Sequence, residues 1–120
     1  MERIRWIESN GKKILYSDYS GLNTTEELTA VLDGAVKMVK SSPTKVLSLV
    51  NFKNSKLNNE FMGKIKKAGE EVLDKGAEKT AVVGVTGLQS ILYKAYVSVT
   101  GSKTIKVFDN EEDAIAFLIS

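Results

Sequence analysis

The sequence contains neither His nor Cys. Their absence removes the commonest general base, every nitrogen and sulfur ligand for zinc, and all thiol and disulfide chemistry. Ser-His-Asp and Cys-His nucleophilic catalysis go with them. What remains is hydroxyls, amides, amines and carboxylates. Lys53 and Ser55 form one Ser-Lys pairing in a polar stretch, but a lysine acts as a base only when desolvated, and nothing in the flanking residues shows that it is. Asp109, Glu111, Glu112 and Asp113 cluster as carboxylates do around Ca²⁺ or Mg²⁺. Their spacing is not that of an EF-hand, and a helix start favours such residues in any case. Gly84-Val85-Thr86-Gly87 leads from a strand pattern into a helix pattern. Free N–H groups there could hold an anion, yet two glycines fall short of a dinucleotide or P-loop fingerprint and read as a turn. The expectation is a protein that is not an enzyme and that uses no metal or cofactor.

Binding residues are the better candidates. In a mostly parallel sheet, ligands gather beyond the carboxyl ends of the strands. That rim would collect Asn51, Lys53, Asn54, Ser55 and Thr86, with Ser20, Asn23 and Gln89 nearby. A second candidate is Tyr93. At helical spacing it points away from the apolar stripe of Leu88, Ile91, Leu92, Ala95 and Val99, and Tyr is enriched in contact surfaces.

The elements that must position these residues follow from periodicity. Residues 3–9 alternate, with Ile4 and Trp6 on one face and Arg3 and Arg5 on the other. Residues 13–19 have strand composition, and Asn10-Gly11 between them suits a type I′ turn. Thr24-x-x-Glu27 reads as a capping box for a helix ending near Pro43. Val46–Val50 is a nearly continuous apolar strand of the kind buried on both faces. Asn58 caps a second helix whose stripe is Phe61, Ile65, Ala68, Val72 and Leu73, with Leu57 and Met62 as a hydrophobic staple and Gly76 as the left-handed residue past its end. Residues 80–85 form another strand, 88–99 a third helix stopped by Gly101, and 104–108 the last strand. Asp109-x-x-Glu112 then caps a final helix. The order ββαβαβαβα predicts an α/β fold over residues 1–120. Its central sheet is mostly parallel, with an antiparallel amino-terminal edge strand and helices packed against it.

Charge and length bound the partners. Seventeen basic and fifteen acidic side chains give a formal net charge of +2, too balanced for a dedicated nucleic-acid binder. No apolar run approaches the roughly 20 residues that span a bilayer, so stable membrane insertion is not expected. The first residues have no apolar core of the signal-peptide kind. With the lack of Cys, these features fit a cytoplasmic protein. A chain of 120 residues is long enough to bury its own core as one domain.

Three segments carry a family likeness: Ile14 to Leu22, Val46 to Asn51, and Val107 to Ala114. On these the chain resembles STAS-like domains, the fold group of the anti-sigma factor antagonists, and more closely the STAS/SEC14-like branch. The resemblance implies a regulatory module that binds a protein partner through the loop after the third strand, the second helix or the Tyr93 face, and it leaves room for a homodimer. Antagonists carry an Asp-Ser-Ser-Gly-Leu-type loop whose second Ser is phosphorylated. Here that stretch is Lys53-Asn54-Ser55-Lys56-Leu57, so Ser55 aligns with the phosphoacceptor while the Asp and Gly of the motif are replaced by Lys. The expectation is a partner-facing loop without an intact phosphoswitch, in which Ser55→Asp leaves folding almost unchanged. The SEC14-like half of the resemblance implies the alternative, a small apolar ligand or lipid in a pocket at the strand carboxyl ends, with Phe52, Phe61 and Met62 near that rim.

Overall fold

The computed structural model describes residues 3–85 and 105–120. Strands β1 (Ile4–Ser9) and β2 (Lys12–Asp18) form the expected hairpin, pairing antiparallel from Ser9↔Lys12 to Ile4↔Ser17. Asn10 and Gly11 both have positive φ, 51° and 79°, as a type I′ turn demands. Helix α1 (Thr25–Ser41) begins where the Thr24 hydroxyl oxygen accepts from the Glu27 N–H at 3.2 Å. The hydroxyl in turn donates to the Glu27 carboxylate at 2.9 Å. Strand β3 (Val46–Asn51) leads to α2 (Asn59–Ala68), capped by Asn58, whose side-chain oxygen accepts from the Phe61 N–H at 2.8 Å.

Beyond Ala68 the helix widens into a π-helical turn (Gly69–Leu73) and ends in the short α3 (Asp74–Gly76). Strands β4 (Ala77–Val83) and β5 (Ile105–Phe108) and helix α4 (Glu111–Ile119) complete the elements of the described residues. The sheet order is β1-β2-β3-β4-β5, parallel everywhere except at β1–β2. This is the predicted architecture. The helix expected over 88–99, with Thr86 and Tyr93, lies outside the described residues.

Alternation along the strands divides the core. Leu15 of β2, Val46 of β3 and Val82 of β4 face α1 and α2, where they meet Leu28, Val31, Leu32, Phe61 and Ile65. Ile14, Leu47, Leu49 and Ala81 face the other way and pack on Ala114 and Leu118 of α4. With helices on both faces, the central strands are apolar at nearly every position, which is why Val46–Val50 shows no alternation.

Three local expectations are corrected. The residue capping α4 is Asn110, whose side chain accepts from the Asp113 N–H at 2.8 Å, not Asp109 one position earlier. Gly76 does not adopt positive φ as a left-handed cap. It lies where a Cβ would overlap the Cγ1 of Val39, so its role is close approach between α3 and α1. On β1, Ile4 is buried as expected, but Trp6 on the same face is 41% exposed, because the helices that cover Ile4 leave this part of the edge strand open.

Candidate functional site

Strands β2, β3 and β4 end at the same edge of the sheet, and their loops lock onto one another. The Tyr19 N–H donates to Asn51 O at 2.8 Å, Gly21 N–H to Lys53 O at 2.9 Å and Phe52 N–H to Val83 O at 2.9 Å. Gly84 holds φ +84° against this loop, where a Cβ would stand 2.6 Å from Lys53 Cα. A side chain there meets backbone that cannot yield, so only glycine fits. Asn51 folds its side chain over the turn, accepting from the Lys53 N–H at 2.9 Å, and Asn54 takes φ 59°, a region Asn tolerates better than most residues. The outcome is an open concavity of about 630 Å³ lined by Asn51, Lys53, Asn54, Gly84, Asp109, Asn110 and Glu111.

Tyr16 forms the link beneath it. Lying on the face of β2 that meets α4, its hydroxyl donates to Glu111 Oε1 at 2.7 Å and accepts from Asn51 Nδ2 at 3.0 Å. The Arg5 guanidinium sits 4.8 Å from the ring centroid, a cation–π distance. Burial, then the Glu111 hydrogen bond, pushes the phenol up to about 12. Tyr16 therefore keeps its proton at neutral pH and commits it to Glu111. Glu111 occupies the first position of α4, where negative charge is favoured. One phenol thus ties β2, β3 and α4 together under the rim.

The fold described above is similar to that of a solved structure. An uncharacterised protein of the DUF3478 family from Shewanella loihica, described as having a SpoIIAA-like fold, superposes with a TM-score of 0.66 at 20% identity, covering 96% of this chain and 91% of that one. This chain has the SpoIIAA-like fold. That is the fold of STAS domains and anti-sigma factor antagonists, as the sequence resemblance implied. No protein-family model matches the chain, and no curated protein matches it.

Within the SpoIIAA-like fold, the sequence-predicted site residues separate. Asn51, Lys53 and Asn54 come together at the rim. Ser55 does not join them. It is 2% exposed, and its hydroxyl donates to Phe52 O at 2.6 Å. The loop after β3 thus turns its serine inward while Lys53 and Lys56 stay exposed. A carboxylate at position 55 would be buried, so Ser55→Asp cannot be neutral to folding in this conformation. Phe52 and Phe61 also depart from expectation. Both are fully buried, with ring centroids 4.6 and 5.8 Å from that of Tyr19, and they fill the core instead of lining a pocket. Burial raises the Tyr19 phenol as well.

Sequence reasoning missed Tyr16 and assigned Asp109 and Glu111 to helix capping alone. The available signal was alternation: Ile14, Tyr16 and Asp18 share a face of β2, but nothing local shows that α4 covers it. Among the described residues no group of three or more acidic side chains is placed to hold a metal ion, and no helix is long and apolar enough to cross a membrane.

Proposed function

We propose that this chain is a non-enzymatic, regulatory protein-interaction module that binds a protein partner through the rim at the carboxyl ends of β2–β4. One observation carries the reading: an open concavity of about 630 Å³ in which Lys53, Asn51 and Asn54 stand opposite Asp109, Asn110 and Glu111, on a floor held by Tyr16. A rigid surface of mixed charge and amides offers partner recognition without an ordering cost. The one strongly perturbed titratable group at this rim, Tyr16, is held in its protonated form, which suits a structural tie and not a base. The inward Ser55 is consistent with a module that does not use this residue as a phosphoswitch.

Lining and size together weigh against a small apolar ligand: the rim concavity, at about 630 Å³, is large enough for one but is lined mainly by amide and charged residues, and the apolar cavity inside the fold is too small. The cavity between the sheet and α1/α2, lined by Leu15, Ser17, Ser48, Ile65 and Thr80, is about 50 Å³. An apolar cavity that takes benzene has about 150 Å³, and drug-sized ligands need roughly 300–1,000 Å³.

Photocrosslinking in the native cell tests the proposal. A photoreactive residue at exposed Asn54 is expected to capture a protein, and Lys53→Glu with Asp109→Lys is expected to abolish capture without changing the melting temperature. Equal capture from Lys75, at the opposite end of the fold, would count against the rim. A small ligand retained in native mass spectrometry of the purified protein, with no crosslink, would favour the alternative.

A further inference from the structure

The amino-terminal end of the sheet, opposite the rim, carries the one large apolar side chain exposed among the described residues, Trp6 at 41%. Trp6 lines a groove of about 530 Å³ together with Pro43, Lys12, Lys13, Lys45 and Glu78. The charges are lopsided: three lysines against one carboxylate. Lys12 is partly engaged, donating to Ile119 O at 3.1 Å. Lys13 and Lys45 are exposed and belong to no ion pair among the described residues, although Glu8 stands across from Lys13 in the hairpin register. The single ion pair among the described residues, Arg3–Asp18 at 3.9 Å, lies at the other end of β2.

We propose that this groove docks an extended acidic segment of a partner protein, separate from whatever occupies the rim. An apolar side chain of that segment packs on Trp6 and Pro43, and its carboxylates meet Lys13 and Lys45. Tryptophan is the residue type most enriched among binding hot spots, and complementary charge around it fixes register and speeds association. The chemistry favours a peptide over the other anionic partners. A nucleic-acid strand calls for a run of cations tracking its phosphates, whereas this groove offers Lys13 and Lys45 with Glu78 of β4 beside them. Membrane-surface binding needs a broad apolar face bordered by basic residues, and among the described residues Trp6 is the one large apolar side chain exposed.

Trp6 is the sole tryptophan of the chain, so its fluorescence reports on the groove directly. The full chain is titrated with a short Glu-rich peptide bearing a central Leu. The expected result is a saturable blue shift, weakened by added salt and weakened about tenfold by Lys13→Gln with Lys45→Gln, the effect of deleting two exposed charge contacts. An unchanged melting temperature in that variant confirms that only the surface was altered. The proposal is overturned by no shift with the Glu peptide, by an equal shift with the same peptide carrying Lys for Glu, or by tighter binding of a single-stranded oligonucleotide or of phosphatidylglycerol vesicles.

Discussion

The hydroxyl of Tyr16 and the carboxylate of Glu111 lie 2.7 Å apart although 95 positions separate them in the chain. The contact joins the second strand to the last helix and sets one wall of the rim. Removing the hydroxyl takes the donor from Glu111 Oε1 and the acceptor from Asn51 Nδ2, while Asn51 Oδ1 still accepts from the Lys53 N–H. Tyr16→Phe should therefore lower stability by about 1–2 kcal/mol, read as a reduced urea midpoint.

Burial of the Tyr16 phenol, and then the same bond, make stability fall in alkali. The folded-state pKa of Tyr16 is raised from 10.0 to about 12, so the folded form holds its proton where the unfolded form releases it. The contribution is complete below the unfolded value and is lost as pH rises from 10 towards 12. Buried Tyr19 adds a shift in the same direction. Urea midpoints measured across this window should fall in the wild type and fall less steeply in Tyr16→Phe. Parallel curves would show that Tyr16 is not the group responsible.

Burial of Ser55 distinguishes two substitutions that a surface loop would treat alike. Ser55→Ala loses one hydrogen bond, worth about 1 kcal/mol. Ser55→Asp places a carboxylate at a site 2% exposed and should cost about 3 kcal/mol or more. Equal melting temperatures for the two variants would mean that the Lys53–Leu57 loop opens readily to solvent.

Gly76 and Val39 should be coupled. A methyl group at position 76 overlaps the Val39 side chain, so Gly76→Ala should destabilise by about 1–3 kcal/mol through overpacking. Adding Val39→Ala makes room, and a double-mutant cycle should recover a coupling of about 1 kcal/mol. Strict additivity would point to a backbone cause at Gly76 instead.

The start of α4 yields a paired test. Asn110→Ala should cost about 1 kcal/mol because the Asp113 N–H loses its partner. Asp109→Ala, one residue earlier and exposed, should leave the urea midpoint within a few tenths of a kcal/mol of wild type. The reverse ranking would restore Asp109 as the cap.

Local chemistry made much of this architecture legible in the sequence. Asn10-Gly11 dictates a two-residue hairpin because few other pairs accept positive φ twice. Thr24 and Asn58 announce helix starts because their oxygens reach N–H groups only three residues away. The unbroken apolar run Val46–Val50 marks a strand covered on both faces. These signals involve neighbours, so neighbours suffice to read them. Asn51, Lys53 and Asn54 were legible as rim residues for a related reason: loops at strand carboxyl ends converge in any parallel sheet.

Other features were settled only by tertiary packing. The polar residues around Ser55 suggest an exposed loop, yet the hydroxyl turns inward to Phe52 because the loop is clamped by Gly21, Leu22 and Gly84 from other segments. Gly76 carries the composition of a helix stop, but the approach of α1 decides its role. Tyr16 reads as one more strand residue until α4, nearly the whole chain away, is folded over it. In each case the deciding partner is remote in sequence. No periodicity or cap rule extends that far, because contacts between distant segments depend on how whole elements pack.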